Sequence, residues 1–244
     1  DVFADIGPPM TVRQVYYRLS TQHVVEKTDS GYNKVQRELT KMRRAGTIPY
    51  EYMSDESRSF FQADTHRNMT EAAHDMAQWY RRDLWAEQGV HVEIWLEKRA
   101  LTGQLRPICN EFGVRLYPMG GYSSVSFAFE AALELRAIDM PIYIYHLSDL
   151  DADGAYSSVV LERELRLHGA QFEFQRLALD NHQVVQYGLQ DALREQKRSS
   201  TRWRWWAEAY GEDQLACELD AIHPRDLRTM VHNAIQSHID PAAW

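Results

Sequence analysis

A chain of 244 residues with 44% hydrophobic side chains is long enough for one large or two small domains and too apolar to be disordered. Two cysteines, Cys109 and Cys217, exclude a disulfide framework and a cysteine-rich zinc site. No apolar run of membrane-span length and no signal peptide is visible; both points favour a cytoplasmic protein with no membrane partner, and Asp1 in place of an initiating Met leaves room for a preceding segment. The net charge of −8 argues against a nucleic-acid partner only on average: residues 11–50 carry eight basic and three acidic side chains (+5), whereas residues 51–244 carry 19 basic and 30 acidic ones (−11).

The basic stretch reads as a small helical module. Thr11 is placed to cap a helix over about residues 12–21, with Val12, Val15, Tyr16 and Leu19 on one face. A second helix is expected from about Ser30 to Ala45, ending at Gly46, with Val35, Leu39 and Met42 inward. Lys34, Arg37, Lys41 and Arg44, spaced 3, 4 and 3, line its other face. Pro49 starts a turn or short strand over Tyr50–Met53. Helix, turn, basic helix and short strand outline a winged helix-turn-helix over residues 1–62, with those four cations contacting DNA phosphates; an ordinary amphipathic surface helix is the alternative.

Residues 54–64 read as a linker and 65–88 as a long connecting helix with Met69, Ala73, Met76, Tyr80 and Leu84 inward. From residue 90 strands alternate with helices. Strands are expected at 90–96, 114–118, 141–147 and 171–178, and helices at 99–111, 124–137, 155–168 and 181–187. That alternation predicts an α/β domain with a mostly parallel sheet over residues 90–244. Gly120–Ser124 is a weak candidate for a phosphate-binding turn, and no P-loop is present. Arg202-Trp203-Arg204-Trp205-Trp206 suits either a strap packed on the sheet, the favoured reading, or a surface that stacks on bases. A closing helix is expected over 224–239, with Pro224 at its start and Leu227, Val231, Ile235 and Ile239 inward.

The chemistry concentrates in Asp149-Leu150-Asp151-Ala152-Asp153-Gly154, directly after the apolar run 141–147. Like charges this close repel unless a cation lies between them, and oxygen-only ligands suit a hard ion such as Mg2+ or Mn2+. Glu97 ends the earlier strand, so two neighbouring parallel strands would bring it to Asp149 and Asp151 at the carboxyl edge of the sheet. An EF-hand loop is disfavoured: Val160 stands where its twelfth-position Glu belongs, and a strand precedes the motif. A solvated acidic turn without metal is the other reading.

These residues resemble a known family. Glu97-Lys98 after one strand and Asp149-x-Asp151 with Gly154 after a later one are similar to the Toprim domain. Thr11-Val12-Arg13-Gln14-Val15-Tyr16-Tyr17 is similar to the Arg-x-apolar-aromatic-Tyr motif in the winged-helix domain shared by the topoisomerase VI A-subunit and the meiotic double-strand-break transesterase. The separations, 80 residues from Tyr17 to Glu97 and 52 from Glu97 to Asp149, are compatible with that family, and Glu218-Leu219-Asp220-Ala221 also looks like a family segment. The chain most closely resembles small stand-alone bacterial or phage relatives.

The resemblance implies a winged helix joined to a Toprim Rossmann-like sheet. It implies Tyr17 as nucleophile, Arg13 as phosphate ligand, and Mg2+ on Glu97, Asp149 and Asp151 with Asp153 peripheral. The implied activity is cleavage of double-stranded DNA through a phosphotyrosyl link by a nucleoid-associated homodimer. A separate ATPase protein, not encoded here, is a possible further partner. Ala152 and Asp153 depart from the family pattern, which has Pro and then Tyr or His there. The extra carboxylate of Asp153 slightly favours the alternative of a nuclease that hydrolyses DNA with water. The acidic average favours a third reading, a non-catalytic DNA-binding protein.

Overall fold

The computed structural model describes residue 3 and residues 7–53, 65–80, 83–120 and 125–244. Helix α1 (Val12–Thr21) starts at a reciprocal cap: Thr11 Oγ1 accepts from Gln14 N, and Gln14 Oε1 accepts from Thr11 N. Helix α2 (Asp29–Arg44) is capped by Thr28. Val15 and Tyr16 of α1 meet Val35 and Leu39 of α2, with Met10 and Ile48, in a small core of their own. A parallel bridge between Met10 and Met53 closes this unit, and Tyr50–Tyr52 forms a single 3-10 turn rather than a strand. Met42, expected inside, is 39% exposed.

The expected 65–88 helix is shorter and lies differently. Helix α3 spans Met69–Trp79 behind an Asn68 cap, and the backbone turns extended at Tyr80. Met69, Met76 and Tyr80 are exposed and Ala73 is exposed with them, while Leu84 and Trp85 join the main core. The apolar spacing marks a helix face correctly, but no described element covers that face. The expected linker at 54–64 and most of the Gly120–Ser124 turn lie outside the described residues.

The remainder is α/β. Four strands, β1 (His91–Leu96), β2 (Arg115–Pro118), β3 (Ile142–Leu147) and β4 (Glu173–Ala178), form an all-parallel sheet in the order β2-β1-β3-β4. Their alternation sorts side chains to two faces. Val92, Ile94, Leu96, Tyr145 and Leu147 pack with helix α4 (Thr102–Phe112) and with α9 (Pro224–Gln236), which buries Leu227, Val231 and Ile235 as expected. Trp95, Ile142 and Ile144 pack with helices α5 (Val125–Arg136) and α6 (Ala152–Leu167). Short α7 (Asn181–Gln186) follows β4, and α8 (Trp203–Tyr210) lies against α6. Both faces are therefore covered, which is why the central strands β1 and β3 read as near-continuous apolar runs.

The two parts of the chain are tied together. Gln104 of α4 donates to the Pro9 carbonyl and accepts from Arg228 of α9 at 2.7 Å. Lys27 donates to the Asp191 carbonyl at 3.3 Å, and α1 lies against the 3-10 turn Leu219–Ala221.

Candidate functional site at the carboxyl edge of the sheet

Strands β1 and β3 are hydrogen-bonded neighbours in register, Leu96 opposite Leu147, so the residues after them emerge side by side. Glu97 follows β1 and Asp149 follows β3; the Asp149 N–H donates to Glu97 Oε2 at 3.4 Å. Two residues on, Asp151 is the N-cap of α6, its Oδ1 accepting from Gly154 N at 2.8 Å. Gly154 has no room for a side chain: a Cβ there would lie 2.5 Å from the Asp149 carbonyl oxygen and 2.9 Å from its nitrogen. The Asp-x-Asp-x-x-Gly spacing thus folds the helix start tightly onto the backbone that carries Asp149.

Lys98 is the hub of the site. Its Nζ lies 3.2 Å from Asp149 Oδ1, 2.8 Å from Glu218 Oε2 and 3.3 Å from Asp220 Oδ2. The Leu219 N–H donates to Asp149 Oδ1 at 2.8 Å, which fixes the 218–220 segment against the β3 edge. Arg13 of α1 reaches the same segment, 2.7 Å from Glu218 Oε2 and 3.3 Å from Asp220 Oδ2. Arg194 pairs with Asp151 Oδ2 at 3.0 Å and approaches Glu218 Oε1 at 3.5 Å. Asp220 is buried and within ion-pair distance of both Arg13 and Lys98, yet neither of its oxygens has a partner in hydrogen-bonding geometry.

Tyr17 is half-buried on α1, between clefts of about 390 and 350 Å3 that share Lys27 as a lining residue. Arg13 and Lys27 lie 5.9 and 5.8 Å from its ring centroid. Tyr16 beside it is a core residue whose hydroxyl donates to the Thr28 carbonyl. A roomier cleft, about 920 Å3, lies at the opposite, amino-terminal edge of the sheet near Pro141 and Glu173, away from these groups.

The electrostatics follow from burial and crowding of like charges. Burial, then the charges of Asp149 and Asp151, push the Glu97 carboxyl up to about 7. Burial also raises Asp220, against the pull of Lys98. Burial opposes the charge on Lys98, but Asp220, Asp149 and Glu218 outweigh it and hold the ammonium above the ordinary lysine range. Burial opposes the Glu218 charge too, and Lys98, Arg13 and Arg194 overcome it, lowering that carboxyl. Tyr17 is raised, first by burial and then by the Glu218 charge, with Arg13 offsetting part of the effect.

Beneath the site runs a buried polar chain: His146 Nδ1 to Ser158 Oγ at 2.8 Å, Ser158 to Ser148 at 3.3 Å, Arg176 Nε to Ser148 Oγ at 3.0 Å, and Arg176 Nη2 to the Asp149 carbonyl at 2.6 Å. It holds the loop after β3 from below.

Of the residues expected from the sequence, Glu97, Asp149 and Asp151 lie together at this edge. Asp153, in the first turn of α6, is exposed and accepts from Ser200 at 3.1 Å. Tyr17 and Arg13 join the acidic group through Glu218 and Asp220. Lys34, Arg37, Lys41 and Arg44 are all exposed on α2, with Glu38 interleaved, 2.8 Å from Lys41 and 3.8 Å from Arg37. Glu218 and Asp220, which the sequence marks only as part of a segment resembling the family and to which it gives no role, are site residues as well, their two acids at alternate positions repeating the Asp149-x-Asp151 spacing; Arg194 is a site residue that the sequence does not single out.

Five carboxylates (Glu97, Asp149, Asp151, Glu218, Asp220) face three cations (Lys98, Arg13, Arg194), and all five offer hard oxygen donors. That donor set and the orphaned oxygens of Asp220 fit a divalent ion such as Mg2+. Among the described residues, however, no three His, Cys, Asp or Glu side chains are already arranged as a ligand set. Lys98 and Arg194 hold Asp149 and Asp151 instead. No helix among the described residues is long and apolar enough to cross a membrane. Compared with known proteins, the chain matches no family model and no curated sequence.

Proposed function

We propose that this chain binds DNA and cleaves it by tyrosine transesterification, as a winged-helix and Toprim protein of the topoisomerase VI A-subunit type. The observation that carries the reading is one continuous run of contacts, Tyr17–Arg13–Glu218–Lys98–Asp149, which joins the candidate nucleophile to the acidic edge of the sheet. In this reading Tyr17 Oη attacks a backbone phosphorus. A new P–O bond forms to the tyrosine, the bond to one deoxyribose oxygen breaks, Tyr17 gives up its proton, and the departing oxygen takes one up. Arg13 and Lys98 are placed to hold phosphate oxygens, exchanging Glu218 and Asp220 for the substrate. Glu97, Asp149 and Asp151 would hold Mg2+, which when bound neutralises phosphate charge and stabilises the leaving oxygen.

A second reading is supported by Tyr17 itself. Burial, with the Glu218 charge, raises its hydroxyl, the direction that makes the attacking phenolate harder to form. A nuclease that uses water and the same carboxylates would need no phenolate. Supercoiled DNA incubated with protein and Mg2+ or Mn2+, then denatured with and without protease, separates the two. Protein-linked breaks that vanish in Tyr17→Phe support transesterification; free-ended breaks that persist in Tyr17→Phe replace it with hydrolysis. Binding without breaks in the wild type removes both. Because the contacts lie within one chain, an equal mixture of Tyr17→Phe and Asp149→Ala is expected to stay inactive, and restored cleavage would assign the site to two chains of a homodimer.

A further inference from the structure

A second cationic surface borders the acidic edge. Residues 194–206 contain five basic side chains (Arg194, Lys197, Arg198, Arg202, Arg204) against one acid (Glu195), a local +4 in a chain of net −8. The segment is tied to the site at its start and near its middle. Arg194 makes a two-way backbone pair with Ala216 and an ion pair with Asp151, and Ser200 donates to Asp153.

The aromatics of helix α8 all pack on the core but are buried to different depths. Trp206 is wholly buried and stacks on Tyr210 at 4.2 Å with the rings 17° apart. That is the part that serves as a strap. Trp203 and Trp205 pack against the same core but stay half-buried, as does Tyr156. Trp205 meets the Tyr156 ring edge-on at 5.0 Å, the Arg202 guanidinium sits 4.5 Å above the Tyr156 ring, and Arg198 lies 5.2 Å from Trp203. Lys197, Arg198 and Arg204 are exposed around them.

We infer that this surface is a binding platform for an unpaired DNA strand. Guanidinium groups laid over half-buried rings, Arg202 on Tyr156 and Arg198 on Trp203, are the kind of group on which unpaired bases stack, and the surrounding cations match the phosphates. Charge alone would serve a duplex as well. Ring faces would not, because a duplex buries its base faces in its own stack. The platform is separate from the exposed cations of α2, which lie in the other unit of the chain. The inference does not rest on the chemistry at Tyr17, so it is tested by binding alone.

The test is fluorescence anisotropy with the full chain in EDTA, where no metal-dependent cleavage intervenes. The probes are a labelled thymidine oligonucleotide of about a dozen residues, an abasic strand with the same number of phosphates, and a duplex. The expected result is tightest binding to the thymidine strand. Trp205→Ala should weaken that binding about tenfold while changing the duplex little, the size expected when one base stack is removed. Arg198→Ala with Arg204→Ala, both at exposed positions that leave the core untouched, should weaken it as well and flatten its salt slope by about 1.4 units. Equal affinity for the abasic strand, no binding of the thymidine strand, or unchanged binding in the double arginine variant overturns the inference.

Discussion

His146 provides a measurable test of how the polar layer under the acidic edge is built. Its ring is fully buried, Nδ1 meets Ser158, and Nε2 has no partner. Burial, reinforced by the nearby Arg176 charge, lowers its pKa from 6.5 to about 3. The sign is that of a depressed group. Between pH 3 and 6.5 the unfolded chain binds a proton that the folded chain refuses, so stability is intact above 6.5 and falls as pH drops through that window. At about pH 5 the unfolded imidazole is roughly 1.5 units below its own pKa, and the loss is about 2 kcal/mol; near pH 7 it is close to zero. This figure depends on the folded value lying well below about 5, not on its detail. Urea unfolding of wild type and His146→Phe at both pH values gives the assay, and the other titrating groups cancel in the difference. The wild type should lose about 2 kcal/mol more than the variant on acidification. Equal losses would show that the folded protein admits the proton and that the buried chain from His146 to Asp149 is not sealed.

Two further outcomes follow from the same geometry. Gly154→Ala drives a methyl group into the Asp149 backbone, and an overpacked position of this kind should cost about 1–3 kcal/mol in unfolding free energy; a stability equal to wild type would mean that the helix start is free to shift. If α2 is the duplex-binding element, replacing Lys34, Arg37, Lys41 and Arg44 by Ala should flatten the salt dependence of duplex binding by about 0.9 unit for each phosphate no longer neutralised, and an unchanged slope would place duplex binding elsewhere.

The sheet was legible because both of its faces are covered. Runs such as Val92–Leu96 and Ile142–Leu147 are apolar nearly throughout, and their lengths identify them as strands. The acidic edge was legible for a related reason, since charges at the end of a buried strand have few places to go. The stripe Met69, Ala73, Met76, Tyr80 is deceptive because periodicity reveals a face but not whether anything packs on it. Asp220 is hidden as a buried site residue because its environment comes from Arg13 and Lys98, both distant in sequence. The fate of the tryptophans is undecidable from sequence for the same reason. Trp205 and Trp206 are adjacent, and only the docking of α8 on α6 leaves one half-buried at the edge of the core and the other wholly inside it.

Asp151 has two jobs, and this decides how its role can be read by mutation. Its side chain starts helix α6 by accepting from Gly154 N, and it also faces Arg194. Asp151→Ala would remove the charge and the cap together, at a cost of about 1 kcal/mol from the cap alone, and would loosen the helix start that presses on Asp149. Lost activity in that variant would not distinguish a missing ligand from a displaced neighbour. Asn caps a helix as well as Asp does and carries no charge. Asp151→Asn is therefore the substitution that separates electrostatics from architecture at this position, and the Ala variant serves as its structural control.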